Sequence, residues 1–457
     1  MGSEKPAPAH LRPTLPRVLG LWDTTCVVVG AIIGVGIFFN PRDVAAISGS
    51  LPAAMTAWTI GGVIAMLGAF VFAELGRMRP VAGGQYHVLR DAYGSLPAFL
   101  FVFCNLTAVQ AGGVAIISIV CAQNLGVALH GVPPGETWTL AMATVLTWLL
   151  VGVNVIGVRS GAGLQNTTVV LKLVTLFAVV ALAAVTAPGT APPSVAPATG
   201  IPLSFASLFA AVTLTLFSYG GGQQSLWMAG EVRDAGRTVP RALVIGVAVV
   251  VVAYLTANWA YFDLLGFDGV RHAQALAADA ISVRSPGLGR RIAAGAVAIS
   301  AFGVLNAQFL SGPRLTWAMA HDGLFFAPFA RLSLRHSTPA LAIFLLGVLS
   351  TGLTLGLGQA RTDLLTTGVV VVDAAFFALT GLALPILWRR DHEKGRAWIG
   401  AAAVAFSLLQ LMAITGSLLH QNVRLVALTG LGWIAAAAMT WLLFFRRAKP
   451  STRPTSV

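Results

Sequence analysis

About twelve apolar segments, each close to the length of a bilayer crossing, begin near Val18, Pro52, Leu96, Glu136, Gly161, Leu203, Pro240, Gly287, Pro339, Leu364, Ala397 and Val423. A helix of roughly 20 apolar residues matches the hydrocarbon thickness of a membrane. Lipid offers no water to unpaired backbone groups, so such segments fold as helices that satisfy themselves. The fold class expected is an all-α polytopic membrane protein. Composition supports this at one decisive point: 56% of the 457 residues are hydrophobic and only 10% charged. A soluble domain cannot hide that much apolar surface.

The net charge of +13 invites a nucleic-acid reading, but the positions of the charges exclude it. With an even number of spans both termini lie on one side. Placing that side in the cytoplasm puts 20 of the 29 Lys and Arg inside and 7 outside, with Lys172 and Arg314 within spans. This asymmetry follows the positive-inside rule. The first apolar run has no small-residue cleavage site behind it and reads as a retained span. Cys26, Cys104 and Cys121 all fall in apolar segments and match no metal spacing, so buried free thiols are expected. The eight histidines do not cluster, and neither a metal nor a cofactor is assigned.

Two spans are interrupted. The first, over 18–39, contains Gly30-Ala31-Ile32-Ile33-Gly34-Val35-Gly36-Ile37-Phe38; the second, over 203–230, contains Phe217-Ser218-Tyr219-Gly220-Gly221-Gly222. Glycine at membrane depth loosens the helix. Opened backbone there is tolerated only where a cavity or a ligand satisfies it. A small-residue face for close helix packing is the plainer explanation of the first stretch. Gly220 follows Gly34 by 186 positions, however, and glycine breaks at corresponding places in two halves point to the midplane site of a transporter with an inverted repeat.

The domain boundaries expected are a tail at 1–17, a first repeat at 18–187, an external linker at 188–202, a second repeat at 203–390, two further spans within 391–447 and a tail at 448–457. Between the second and third spans, 87–93 mixes apolar and basic residues and reads as an amphipathic helix on the cytoplasmic interface. The longest external segment, 263–287, has room for a short helix. Lys172 lies deep in the fifth span. An intramembrane cation is a functional candidate by default, against the plainer alternative of a lysine snorkelling to the interface. Asp373 in the tenth span is a candidate proton site or a buried structural carboxylate. Glu74 is expected to pair with nearby basic residues, and Arg314 to brace the cytoplasmic side with Glu231.

Jointly these motifs resemble the amino acid–polyamine–organocation transporters, and among them the bacterial relatives of the L-type amino acid transporters. The resemblance rests on Gly34-Val35-Gly36-Ile37-Phe38 with Pro41, on Ala73-Glu74-Leu75 with Pro80 and Gly83-Gly84-Gln85-Tyr86, and on Phe217-Ser218-Tyr219-Gly220-Gly221 with Glu231, Arg237 and Pro240-Arg241. Met319-Ala320-His321-Asp322-Gly323 adds to it. It implies a five-plus-five inverted repeat (a LeuT-like fold) with discontinuous helices 1 and 6, two further helices, and alternating access around a central site. It also implies that a lysine in span five stands where sodium-coupled relatives hold the ion, which is the role Lys172 would take; because burial disfavours its charged form, Lys172 is also a candidate carrier of the transported proton. A location in the cell membrane, for a bacterium the inner membrane, follows from the same resemblance. Val35 and Gly222 depart from the family pattern and leave the side-chain pocket undefined.

An amino acid zwitterion needs donors for its carboxylate and acceptors for its ammonium, and opened helix ends supply both. The substrate-binding residues expected are Ile32, Ile33, Gly34, Val35, Gly36 and Ile37 from the first break and Phe217, Ser218, Tyr219, Gly220 and Gly221 from the second. The amides of Val35, Gly36 and Ile37 would face the carboxylate. The carbonyls of Ile32, Phe217 and Gly220 would face the ammonium. Phe217 is the expected gate, and Tyr219 and Ser225 are weaker pocket candidates. Neutral L-amino acids lead as substrates, by sodium-independent exchange or proton-coupled uptake, because neither broken stretch contains an acidic residue. A cationic amino acid or polyamine carrier is the alternative, and a membrane amino acid sensor a distant one. The partners expected are the substrate and the bilayer, with no nucleic acid; the oligomeric state is left open.

Overall fold

The computed structural model describes residues 15–185, 205–273, 276–282, 289–358, 362–419 and 421–446. The linker at 188–202, the tail at 448–457 and most of the tail at 1–17 lie outside the described residues. The first span is two helices. In α1 (Leu21–Ile32), the Gly20 amide donates to Asp23 Oδ2 at 3.0 Å and Thr24 Oγ1 returns a bond to the Gly20 carbonyl at 2.7 Å. These bonds satisfy orphan groups of the first turn. After a three-residue gap, α2 (Gly36–Ser48) departs at a 44° bend. It ends on Gly49 at φ 70°, a left-handed cap that glycine adopts without strain.

The remaining spans follow in order. α3 (Leu51–Met78) starts with Ser50 as cap and Pro52 in its first turn. After α4 (Gly84–Tyr93), the third span joins α5 (Ser95–Cys104) to α6 (Ala111–His130) through a π-helical turn at Asn105–Gln110. α7 (Glu136–Ile156) and α8 (Val158–Val185) are spans four and five. Span six consists of α9 (Phe205–Tyr219), an open stretch at 220–223, then only α10 (Gln224–Trp227) and a 3₁₀ turn at Ala229–Glu231. Its second half is much shorter than the apolar run to residue 230 suggests. α11 (Ala235–His272) kinks at Gly266 (φ 71°) and runs further than the segment expected outside. The short helix expected in that segment is α12 (Leu276–Ser282). α13 (Gly289–Ser311) and α14 (Pro313–His321) form span eight, followed by α15 (Ala340–Leu357), α16 (Thr362–Arg390), α17 (Ala397–Leu419) and α18 (Gln421–Thr440).

Among the described residues, eight helices are long and apolar enough to cross a membrane alone, or nine with the bent α1–α2 pair. Val145, Leu149, Val174, Phe177, Val252 and Trp259 are exposed apolar residues on these helices. On a soluble monomer they would form patches that water penalises; in lipid they are the correct exterior. The protein is an all-α polytopic membrane protein. The span formed by α13 and α14 is the most enclosed of the crossings and lies against α1, α6 and α8.

One end of the bundle is rich in Lys and Arg and is shut. The amides of Val18 and Leu19 donate to the Glu231 carbonyl at 2.9 and 3.0 Å, and the Arg233 amide returns to Leu19 at 2.9 Å. Arg314 grips Glu231 with two bonds of 3.0 Å, both side chains being fully buried. Glu74 pairs with Arg77 at 2.9 Å. α4 does not lie loosely on an interface: Gln85 to Leu89 are buried. Trp227 Nε1 donates to Gln85 Oε1 and Gln85 Nε2 to Thr380 Oγ1, each at 2.9 Å. Tyr86 donates to Asp322 at 2.9 Å, and Arg90 pairs with the same carboxylate. Burial and the Arg90 guanidinium push the neighbouring His87 down to about 4. The imidazole is therefore neutral near pH 7, and its 3.9 Å approach to Asp322 is not an ion pair.

Candidate functional site

The two breaks face each other. Gly221 sits at φ 119°, in the region that favours glycine. A Cβ there would come within 2.6 Å of the Ala31 carbonyl oxygen, so this glycine lets the second opened strand reach the first. Gly36 also makes a close approach: a Cβ on it would lie 2.9 Å from Ser218 Oγ. Gly30 abuts Gln165 and Val169 of α8. The packing explanation of the first glycine stretch therefore holds for Gly30 and Gly36. A bulky residue at position 36 would meet Ser218 of α9.

The opened carbonyls of the first break have specific donors. Lys172 Nζ, on a side chain 1% exposed, donates to the carbonyls of Gly30 at 2.9 Å and Ile33 at 2.7 Å. A Cβ on Gly303 would lie 2.9 Å from Nζ, so the ammonium touches α13 as well as α1. Ser300 Oγ, also from α13, lies 3.3 Å from the Ile33 carbonyl and 3.2 Å from that of Gly34. A snorkelling lysine would leave the bundle; this one ends inside it. Nζ thus sits between three helices, with its donors on α1 carbonyls; when charged, such bonds are of the stronger class.

Tyr254 of α11 joins the two breaks. Its hydroxyl lies 3.0 Å from the Ile32 carbonyl and 3.3 Å from that of Ser218. Its ring packs with Tyr219 and Trp58, at centroid distances of 5.2 and 5.9 Å. The Ile32 carbonyl thus already has a protein donor. Asn40 Nδ2 holds Ser218 Oγ at 2.6 Å and the Leu214 carbonyl at 3.2 Å, which ties α2 to α9.

The residues expected at the site are therefore distributed as follows. Residues 32–37 form the first break, and Gly36 and Ile37 open α2, where amides have no partner within the helix. Ser218 and residues 219–221 flank the second break. Tyr219 turns away, donating to the Trp58 carbonyl at 3.3 Å, and Ser225 caps Gly222 within its own turn. Phe217 lies in the last turn of α9, with its side chain outside the described residues. Ser300, Tyr254 and Asn40 are the polar contacts that inspection of the sequence missed. Each is a single hydroxyl or amide in an apolar span, more than a hundred positions from its main partner, with no periodicity to mark it.

Two discontinuous helices meeting inside a shut bundle define a membrane carrier rather than an enzyme. A sequence profile described as amino acid permease matches residues 19–452. The chain belongs to the amino acid permease family, and amino acid transport is its task. It is similar to the b(0,+)-type amino acid transporter 1 of Mus musculus, at 29% identity over 74% of this chain and 69% of that protein. It is also similar to the serine/threonine exchanger SteT of Bacillus subtilis, at 28% over 88% and 90%. The Asc-type amino acid transporter 1 of Homo sapiens is 28% identical over 84% and 73%.

One consequence concerns Tyr254. If its hydroxyl holds the breaks in register, Tyr254→Phe should keep the ring packing and lose only these bonds. The hydroxyl has one proton to share between the two carbonyls, an interaction worth about 1 kcal/mol, so substrate affinity should fall by roughly fivefold with little change in thermal stability. Binding in detergent, measured by scintillation proximity, checks this; unchanged affinity would reduce Tyr254 to a packing residue.

Proposed function

We propose that the protein is a sodium-independent secondary transporter of neutral L-amino acids, with its basic end in the cytoplasm. The substrate carboxylate lies on the free amides that open α2, and the ammonium on carbonyls of residues 217–220. The observation that carries this reading is the pattern of occupied and free groups at the first break. Lys172 and Ser300 engage the carbonyls of Gly30, Ile33 and Gly34, whereas the amides of Gly36 and Ile37, at the start of α2, have no acceptor within the helix. A lysine at a sodium-like position sets its amino group on the carbonyls where an ion would sit, so no ion is required there. Neither break carries an acidic side chain to select a cationic substrate. Resemblance to an exchanger named for serine and threonine supports small neutral side chains.

Transport would then alternate two closures. With the basic end shut by the 18–19, Glu231 and Arg314 contacts, substrate enters from the other side. Breaking those contacts frees α1 and α10 to open inward. Proteoliposomes loaded with L-serine are expected to take up labelled L-serine about tenfold faster than empty ones, with no change when choline replaces sodium. Uptake confined to lysine, arginine or polyamines would overturn the neutral assignment.

A further inference from the structure

Asp373 is a carboxylate in the middle of α16 that the proposed cycle does not use. An ionisable group at such depth is rare, costly and functional by default. Its orientation follows from helix geometry. Positions seven apart fall within about 20° of one another on a helix, so Asp373 shares a face with Thr380, which is buried and bonded to Gln85. It lies between the directions of Phe376, packed on Phe101 at 5.5 Å, and Phe377, packed on Phe72 at 5.8 Å and Phe406 at 6.4 Å. The carboxylate therefore faces the bundle, not lipid, yet it is only partly buried. One turn along, Phe377 lines a small cleft of about 60 Å³ shared with Tyr219, Gly220, Gly221, Phe406 and Gln410. This cleft is lined by the opened backbone of span six.

Among the described residues Asp373 has no hydrogen-bond or ion-pair partner. Both cations within spans are engaged elsewhere, Lys172 on α1 carbonyls and Arg314 on Glu231. The elements packed on α16 bring few ionisable groups. α3 offers Glu74 and Arg77, and α4 offers Tyr86, His87, Arg90, Asp91 and Tyr93, all at the basic end. The third span adds the thiols of Cys104 and Cys121, and His130 at its far end; α17 adds none. Arg424 of α18 and Asp363 of α16 itself have side chains outside the described residues, and Arg389 and Arg390 close α16 at the basic end. A lone carboxylate in such surroundings is stable when neutral, and the smallest neutralising ion is a proton.

We infer that Asp373 is the proton-coupling residue of the cycle, which makes uptake a symport of one proton with one neutral amino acid. Its carboxylate takes a proton from external water when the site faces outward. It returns that proton to internal water when the site faces inward, and no other bond changes. The same helix face carries Thr380, linked through Gln85 to Trp227 of α10, so the charge on this face bears on the half-helix that must move. The inference rests on the transport function proposed above.

The test uses the full chain in liposomes with the membrane potential clamped at zero. Native protein, Asp373→Asn and Asp373→Glu are compared, with L-serine as substrate and an internal pH dye. In the native protein, external serine is expected to acidify the lumen. An inside-alkaline gradient of one pH unit should sustain an accumulation of up to about tenfold, and uptake should quicken as external pH falls. Asp373→Asn is expected to lose acidification and accumulation but to keep serine counterflow within about twofold of native, and Asp373→Glu to keep both. An Asn variant that still acidifies the lumen would overturn the inference. So would loss of counterflow together with coupling in both variants, which would mark a structural carboxylate, or selective loss of lysine uptake in the Asn variant, which would mark a substrate contact. Native protein that exchanges serine without moving protons overturns the coupling role and leaves the transport reading intact. Native protein that moves no neutral amino acid at all removes that reading, and the inference with it.

Discussion

Lys172→Ala is expected to lower amino acid transport about 100-fold, while uptake by the native protein is unchanged when sodium is replaced by choline. The substitution removes two charge-assisted bonds, to Gly30 and Ile33, each worth about 1.5–3 kcal/mol. It also leaves two buried carbonyls without their donor and α13 without its contact to the break through Gly303. A change of about 2.7 kcal/mol corresponds to a factor of 100, so loss of most of this clamp is enough. Alanine also opens a cavity, which would depress stability on its own account. Lys172→Met keeps the volume and removes only the charge, and it should transport as poorly as the alanine variant while eluting as folded protein. Transport by the methionine variant near the native rate, or sodium-stimulated uptake in the native protein, would refute the clamp.

That lysine shows how far a sequence can be read for a fold of this kind. A cation deep in an apolar run is visible because lipid makes it expensive, and glycines at matching depth are visible because helices avoid them. Both breaks, at 33–35 and 220–223, occur where the residues say they should. The consequences of a glycine are less legible. Gly36 reads as clearance for a ligand or clearance for a neighbour, and only the 2.9 Å between a Cβ placed there and Ser218 Oγ reveals the neighbour. Residues 87–93 read as a surface helix, and the buried bonds of the adjoining Gln85 and Tyr86 are not legible because their partners, Trp227, Thr380 and Asp322, lie 142 to 295 positions away. Ser300 and Tyr254 are hidden for the same reason. Hydroxyls are unremarkable in spans until a carbonyl from another span is placed against them.

The Arg314–Glu231 pair should be the largest single determinant of closure at the basic end. Both side chains are fully buried, with two bonds of 3.0 Å. The Glu231 carbonyl also receives Val18 and Leu19, so one residue holds spans one, six and eight together. Removing one partner of a buried pair strands the other charge, at a cost of about 3–5 kcal/mol. In the proposed cycle these elements separate when the basic end opens, and the freed guanidinium then regains water. The loss therefore falls on the closed conformation and shifts the population inward-open. Cys26, buried in α1, serves as the reporter in a background with Cys104 and Cys121 replaced by alanine. Glu231→Gln is expected to speed maleimide labelling of Cys26 at least tenfold and to lower the thermal stability of the substrate-free protein. Because buried pairs tolerate apolar replacement, Glu231→Leu combined with Arg314→Met should recover much of the slow labelling that either single change loses. Labelling of the Gln variant at the native rate would show that closure depends on the 18–19 backbone contacts instead, and that the pair only fills space between the helices.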